Sequence, residues 1–179
     1  MRLFVAINFP PSILKLLQHD ISELRKNAIS GNFTPNENLH LTLAFLGETP
    51  EKKIPLIHEA MKTAWIGYQP SFVTIKGFGK FIMRGEILYW RGMECSKEVL
   101  DMQQKLVEAL GQQGFAMEDR PFTPHITMGR RCRMKKSFLE QEYESTLVAA
   151  DMEVAEISLM KSERINGRMV YTSIYSIPK

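Results

Sequence analysis

The sequence predicts a fold of mixed strands and helices in which two related lobes pack face to face. The first observation is a repeated order of elements, because each half of the chain predicts a strand, a helix and a second strand. The second is that the later strand carries His-x-Thr in both halves, as His40-Leu41-Thr42 and as His125-Ile126-Thr127. The third is the length of 179 residues without any linker, so residues 1–179 are expected to form one domain.

Composition and charge narrow the class of protein. Hydrophobic residues make up 44% of the chain and charged residues 24%, as in soluble globular proteins. The net charge of +3 permits a polyanionic ligand without requiring one. Cys95 and Cys132 lack metal-site spacing and predict no disulfide framework, so a reducing cytoplasm is the expected location. No apolar run approaches the length of a membrane-spanning helix, and we expect a monomer with no membrane partner.

The first half begins with residues 2–9, a mostly apolar run that predicts a buried strand closed by two prolines. Ser12 can cap the helix that follows, because apolar residues then recur at helical spacing, and the helix is expected to end near residues 30–32. A turn leads into the first His-x-Thr strand, and Gly47 ends that strand. Residues 48–65 predict a second helix.

The middle of the chain alternates like a pair of strands. Residues 72–79 predict one strand and residues 87–91 another, with residues 81–86 as the loop between them. Ser96 can cap a third helix, which is expected to end near residues 111–114.

The last part contains the second His-x-Thr strand, and a basic cluster at residues 130–136 follows it. This cluster has two interpretations, a solvated loop or a site for phosphate or an RNA backbone. Residues 138–147 predict a short helix. Residues 152–161 and 169–177 predict two strands joined by a hairpin with Asn166-Gly167 in its loop.

The two His-x-Thr strands carry the chemistry. Side chains two positions apart on a strand share a face, so His40 and Thr42 lie together, with Leu41, Leu43 and Phe45 on the opposite apolar face. Of two histidines across one pocket, the neutral one can take a proton from water and the protonated one can give a proton to a leaving oxygen. Threonine hydroxyls can stabilise the charge of a phosphoryl group. We expect no metal and no cofactor, because the sequence holds no metal-site spacing.

The paired motifs resemble those of the 2H phosphoesterase superfamily, and more closely those of the bacterial and archaeal RNA 2′,3′-cyclic phosphodiesterases, formerly called 2′-5′ RNA ligases. The segments that carry this resemblance run from end to end of the chain: Arg2–Ile7, Asn38-Leu39, His40–Gly47, Pro124–Arg130, Ser162-Glu163 and Tyr171-Thr172. The second motif departs from the family at Met128-Gly129, where neither change touches the catalytic residue types.

The resemblance implies a bilobal α+β fold with pseudo-two-fold duplication, in which two antiparallel sheets flanked by helices enclose a central cleft. It also implies metal-independent hydrolysis of a terminal 2′,3′-cyclic phosphate of an RNA or nucleotide to a 2′-phosphate. His40 would be the general acid and His125 the general base, while Thr42 and Thr127 would hold the phosphate oxygens. The acid and base labels can be exchanged, because sequence alone does not say which imidazole is protonated.

Three further residues are candidates for substrate binding. Arg130 follows the second motif, but a regular strand would point it away from His125, so it reaches the cleft only if the strand ends or bulges first. Phe9 and Trp90 are candidates for stacking on a base, with a place in the core as the alternative for each. Tyr89 and Trp90 cannot both face the cleft if their strand is regular.

Two other functions stay open at this point. The same pocket could act on 2′-5′-linked oligonucleotides as a phosphodiesterase or reversible ligase, or on a small cyclic nucleotide. Alternatively, the protein could be a nucleotide- or RNA-binding module that uses His-x-Thr only to hold phosphate. Catalysis by an acid and a base predicts a bell-shaped pH profile, which binding does not require.

Overall fold

The computed structural model describes residues 1–69 and 71–178, which form nine strands and four α-helices. The strands are β1 Arg2–Asn8, β2 Ala28–Phe33, β3 His40–Glu48, β4 Ser71–Met83, β5 Glu86–Cys95, β6 His125–Met134, β7 Ala150–Val154, β8 Glu156–Ile165 and β9 Arg168–Pro178. The helices are α1 Pro11–Lys26, α2 Ile54–Trp65, α3 Lys97–Gln112 and α4 Glu140–Ser145.

Within the described residues, the strands form two antiparallel sheets. The first has the order β3-β1-β8-β9, and the second has the order β2-β6-β5-β4-β7. Each His-x-Thr strand pairs with a central strand, β3 with β1 and β6 with β5. This repeated arrangement confirms the predicted α+β fold of duplicated antiparallel sheets flanked by helices.

The core explains which way the His-x-Thr strands face. Leu41 and Leu43 on β3, like Ile126 and Met128 on β6, are almost completely buried in one continuous hydrophobic core. Burial of each such side chain contributes roughly 1.5–3 kcal/mol to folding. Because neighbours on a strand alternate, burial of these four turns the histidines and threonines to the opposite faces of the two sheets.

A buried ion pair ties α1 to the second sheet. Arg91 on β5 is 1% exposed, and its guanidinium donates to the carboxylate of Asp20 on α1, which is 5% exposed. Its other nitrogens donate to the carbonyls of Gly77 and Val148, both at 3.0 Å. The hydroxyl of Tyr143 donates to the Asp20 carbonyl at 2.6 Å. Burial raises the pKa of the Asp20 carboxyl, and the Arg91 guanidinium opposes that rise.

The first helix differs from its prediction at both ends. Pro10, rather than Ser12, is the N-cap residue, and it makes no side-chain cap. The helix ends at Lys26, and the next residues form β2, which the sequence did not predict. β2 pairs with β6 through backbone hydrogen bonds. Its residues show no clear alternation, so its conformation depends on a partner strand more than 90 residues away.

The hairpin of β4 and β5 is tighter than predicted. β4 extends to Met83 and β5 begins at Glu86, so the predicted loop at residues 81–86 is wrong. Arg84 and Gly85 alone make the turn, with φ of 52° and 79°. A two-residue turn with two positive φ angles matches the twist of the flanking strands.

The predicted strand at residues 152–161 is two strands. β7 ends at Val154, paired with Ser71 in the second sheet, and β8 begins at Glu156, paired with Pro178 in the first sheet. The sequence carried a signal for this break, because the buried residues Val154 and Ile157 lie an odd number of positions apart.

The remaining elements lie closer to their predictions. β3 runs to Glu48, and the predicted second helix begins with the 3₁₀ turn Glu51–Lys53 before α2. Ser96 caps α3 as predicted, since its hydroxyl accepts from the Val99 backbone N–H at 3.4 Å. α4 is shorter than residues 138–147. The Asn166-Gly167 turn between β8 and β9 is confirmed.

Among residues 1–69 and 71–178, no helix combines the length and the apolar character needed to cross a membrane.

Candidate active site

A cleft between the two sheets collects residues from both His-x-Thr strands. Its volume is about 200 Å³. The residues that line it are Arg2, Phe4, Thr34, Asn38, His40, Thr42, Phe45, His125, Thr127, Arg130, Ser162, Met169 and Tyr171. The structure therefore brings together His40, Thr42, His125, Thr127 and Arg130, the five predicted site residues in this set.

The two histidines are held in the same way. Nδ1 of His40 lies 2.7 Å from the carbonyl oxygen of Asn38, and Nδ1 of His125 lies 2.7 Å from that of Thr123. A carbonyl only accepts, so each Nδ1 carries a proton and donates it. Nε2 is then the nitrogen of each ring that can accept a proton or, when protonated, give one away.

His40 lies in an aromatic environment on the first sheet. Its ring contacts Phe4 at 4.8 Å and Tyr171 at 5.3 Å between ring centres. Burial lowers the pKa of His40, and the charges of Arg130 and His125 lower it further, while the hydrogen bond to the Asn38 carbonyl acts in the opposite direction. The environment therefore favours the neutral imidazole until an anion binds beside it.

Each His-x-Thr motif takes part in a hydrogen bond of a threonine hydroxyl. The Thr42 hydroxyl lies 3.0 Å from Nε2 of His40. On the second sheet, the hydroxyl of Thr34 donates to the carbonyl of Thr127 at 2.8 Å and ties the end of β2 to the second motif. Thr34 lines the cleft but was not predicted, because its position depends on the pairing of β2 with β6.

Two β-bulges determine which residue after each His-x-Thr motif lines the cleft. On β6, Thr127 pairs with Trp90 and Gly129 with Tyr89, so Met128 is an extra residue on its strand. On β3, Leu43 is the extra residue in the equivalent position, three after the histidine. A bulge reverses the alternation that follows it.

The bulges therefore bring Arg130 and Phe45, each five residues after its histidine, into the cleft. The sequence allowed Arg130 to reach the cleft only if its strand ended or bulged first, and the bulge at Met128 meets that condition. For Phe45 the expected apolar face is wrong, since its ring is 43% exposed and lines the cleft. The Arg2 guanidinium lies 5.1 Å from the centre of this ring.

The two aromatic candidates do not line the cleft. Phe9 is 7% exposed and belongs to the hydrophobic core. Trp90 packs over Gly79, where an added Cβ would lie 2.4 Å from the indole, and against Phe81. Phe81 in turn meets the His125 ring edge-on at 5.0 Å, so Trp90 packs against a ring that contacts His125.

Asn38 was not predicted as a site residue, although its position two residues before His40 is a signal for it. Its carbonyl holds Nδ1 of His40, and its side-chain amide donates to the Met169 carbonyl at 2.8 Å. Asn38 is 5% exposed and lines the cleft. It therefore fixes the orientation of His40 through a bond to β9.

Replacing Asn38 with alanine should lower kcat by up to about 10²-fold with a smaller change in KM, because a slightly displaced His40 misses its target atom. The loss of the bond to Met169 should also lower the free energy of unfolding by about 1 kcal/mol. Asn27→Ala is a matched control, since its amide donates to the Glu23 carbonyl at 3.0 Å, outside the cleft. An unchanged kcat in Asn38→Ala would remove its positioning role.

Within the part of the chain that the structure describes, no three His, Cys, Asp or Glu side chains gather so that they could hold a metal ion. Metal-free chemistry stays a prediction, which chelation tests.

Comparison with known proteins identifies the family of this chain. The family model of the 2′-5′ RNA ligase superfamily matches residues 10–166. The RNA 2′,3′-cyclic phosphodiesterase of Thermotoga maritima is 35% identical over 131 residues, which cover 73% of this chain and 70% of that protein. The protein of the same name from Methanothermobacter thermautotrophicus is 30% identical over 179 residues, which cover 97% and 96%.

A solved structure agrees over the whole fold. The crystal structure of Escherichia coli LigT complexed with 3′-AMP matches with a TM-score of 0.78 at 25% identity, over 99% of this chain and 97% of that chain. The predicted family and the predicted class of enzyme, a cyclic phosphodiesterase, are confirmed. Matched by the family over residues 10–166 and by relatives over nearly its full length, this chain belongs to the 2′-5′ RNA ligase superfamily.

Proposed function

We propose that this protein hydrolyses the terminal 2′,3′-cyclic phosphate of RNA to a 2′-phosphate, with residues 1–179 acting as one domain. The observation that carries the proposal is the pair of imidazoles, His40 and His125, held alike by backbone carbonyls and lining one cleft with Arg130. The relatives named RNA 2′,3′-cyclic phosphodiesterase support the substrate, and the match to LigT complexed with 3′-AMP supports a nucleotide in the cleft.

The reaction needs two proton transfers, and each histidine carries out one of them. Nε2 of neutral His125 takes a proton from water as the water oxygen attacks phosphorus. The bond between phosphorus and O3′ breaks, and Nε2 of protonated His40 gives its proton to O3′. The products are a 2′-phosphate and a free 3′-hydroxyl, so atoms and charge balance. Each proton transfer of this kind contributes typically about 10²–10⁴ in rate.

The cleft also offers donors to the charge that develops on phosphorus. Thr42 and Thr127 can donate to the non-bridging oxygens, and Arg130 can make two parallel hydrogen bonds to them. Phe45 presents an exposed ring on the first sheet, where the terminal base can stack.

The lowered pKa of His40 makes the part of this residue in the reaction testable through the pH dependence of the activity. His40 must change its protonation state in the reaction, and its pKa lies below its ordinary value of 6.5, so one limb of the pH profile should lie below that value. Since the Arg130 charge lowers this pKa, Arg130→Ala should raise the His40 midpoint in an NMR titration of the ring.

In kcat/KM profiles, the limb that reports His40 should move to higher pH in Arg130→Ala, although the remaining activity will be low. Agreement between the shift of that limb and the shift of the His40 midpoint would assign the limb to His40. A His40 midpoint that does not change in Arg130→Ala would contradict the electrostatic coupling.

The decisive test is hydrolysis of a nucleoside 2′,3′-cyclic phosphate, and of a short RNA that ends in one, in the presence of EDTA. Chromatography separates the 2′-phosphate from the 3′-phosphate. We expect the 2′-phosphate, with no effect of the chelator. Activity lost in EDTA and restored by zinc would refute metal independence.

No turnover of either substrate would redirect the assignment to 2′-5′-linked oligonucleotides and then to a binding role. The cytoplasmic location and the monomeric state stay predictions.

A further inference from the structure

We propose that the nucleotides upstream of the RNA end bind along an exposed strip of the second sheet, formed by Ser30 and Asn32 of β2 with Arg130 and Arg133 of β6. We call it the β2–β6 strip. This inference rests on the proposed function, because it concerns the remainder of the RNA whose cyclic end occupies the cleft.

The register of the two strands puts these four residues side by side. Asn32 pairs with Arg130, and Ser30 pairs with Arg133. Arg131 and Cys132 together oppose one residue of β2, and the φ of Arg131 is 53°, so a second bulge interrupts β6 here. The pairing therefore skips a residue, and the two arginines stay beside consecutive outward positions of β2.

The glycines between these residues show which face the strip occupies. An added Cβ on Gly31 would lie 3.2 Å from Sγ of Cys132, and one on Gly129 would lie 3.0 Å from it. Cys132 is 3% exposed and belongs to the core. The neighbours Asn32, Arg130 and Arg133 therefore point to the other face of the sheet, which is the face of the cleft.

The strip continues directly from the cleft. Arg130 lines the cleft and is also the first residue of the strip. The cleft holds about 200 Å³, less than the roughly 300–1,000 Å³ of pockets that enclose a drug-sized ligand, so it suits one terminal nucleotide. Any further nucleotide must lie outside it.

Spacing along the strip suits a nucleic-acid backbone. Asn32 and Ser30 lie two residues apart on β2, which is roughly 7 Å at about 3.3 Å per residue. That distance is comparable with the separation of neighbouring phosphates in an extended single strand of RNA. Arginine, serine and asparagine side chains all donate hydrogen bonds to phosphate oxygens.

The charges of the strip are free to meet phosphates. Among the described residues, neither Arg130 nor Arg133 forms an ion pair with an acidic side chain. Their neighbour Arg131 is paired with Glu86 at 3.1 Å, and Lys135 donates to the carbonyl of Lys26 at 2.7 Å. The basic cluster predicted at residues 130–136 is thus not one loop, because most of it lies on β6 and its cations have different partners.

The other side of the cleft offers a weaker surface for an anion. Lys161 pairs with Glu163 at 2.6 Å, and the N-terminal ammonium pairs with Glu48 at 3.5 Å. The Arg2 guanidinium lies over the Phe45 ring. These three cations are balanced by acids or engaged by the aromatic ring, in contrast to the two arginines of the β2–β6 strip.

The test compares a substrate that has no upstream nucleotide with one that has several. Arg133→Ala should raise KM several-fold for a short RNA ending in a 2′,3′-cyclic phosphate, with kcat unchanged. It should leave both constants unchanged for a nucleoside 2′,3′-cyclic phosphate, which does not reach Arg133. Loss of one phosphate contact should also reduce the slope of log KM against log salt concentration by about 0.7 for the RNA.

Two variants serve as matched controls for the loss of one positive charge. Arg131→Ala removes the adjacent arginine, which is already paired with Glu86. Lys15→Ala removes an exposed lysine from α1, and this helix packs on the core side of the sheets, away from the strip. Neither should change KM for the RNA as Arg133→Ala does. Asn32→Asp, which adds a negative charge to the strip, should raise KM for the RNA further.

The outcomes separate this inference from the proposed function. Turnover of neither substrate by the unaltered protein would defeat the proposed function itself. Turnover of both, with equal RNA KM in Arg133→Ala and in the unaltered protein, would overturn the β2–β6 strip alone. An equal loss for RNA and mononucleotide in Arg133→Ala would also overturn it, because the residue would then act on the cleft and not on upstream RNA.

Discussion

Replacement of His40 or His125 by alanine should lower kcat for a 2′,3′-cyclic phosphate by at least about 10²–10⁴-fold, because each variant loses one of the two proton transfers. The two losses should not add in the double variant, since the histidines act as a unit on one bond. Both side chains lie on the cleft faces of the sheets rather than in the core. The melting temperature should therefore change little.

The measurement is steady-state hydrolysis with thermal unfolding of the same preparations. His19→Ala is a matched control, because His19 is exposed on α1 and does not line the cleft. It should retain full activity. Normal turnover by either His40→Ala or His125→Ala would defeat the mechanism with two histidines.

Breaking the buried pair of Arg91 and Asp20 should have the largest effect on stability. Arg91→Ala or Asp20→Asn should lower the free energy of unfolding by about 3–5 kcal/mol, because the partner is left as a buried charge without compensation. For a domain with a total stability of roughly 5–15 kcal/mol, this approaches unfolding at 37 °C. The two variants differ in volume, so agreement between them would point to charge rather than to packing.

Urea unfolding measures this change in the free energy of unfolding. A lower midpoint concentration of urea, with an unchanged slope of free energy against urea concentration, reports a loss of stability. The exposed pair of Lys62 and Glu59, at 2.9 Å, is the control, and Lys62→Ala should leave the midpoint almost unchanged. A loss below about 1 kcal/mol in Asp20→Asn would show that the Arg91 guanidinium is compensated by its two other acceptors, the carbonyls of Gly77 and Val148.

Much of the site could be predicted because its information is local. His40 and Thr42, like His125 and Thr127, share a face through simple alternation, and their apolar neighbours identify the core side. The amphipathic helices and the Asn166-Gly167 turn follow from equally local patterns. Phe9 shows the limit of this reasoning, because an apolar ring after a strand has the same local pattern in a cleft as in a core.

The sequence by itself determined the two His-x-Thr strands, their duplication and the family. Only the tertiary structure decided the two bulges at Leu43 and Met128, which bring Phe45 and Arg130 into the cleft. It also decided that β2 pairs with β6 and that the chain changes sheets between Val154 and Glu156. The physical reason is the same in each case, since strand register and bulges are set by hydrogen bonds to a partner strand, and the partner is distant in sequence.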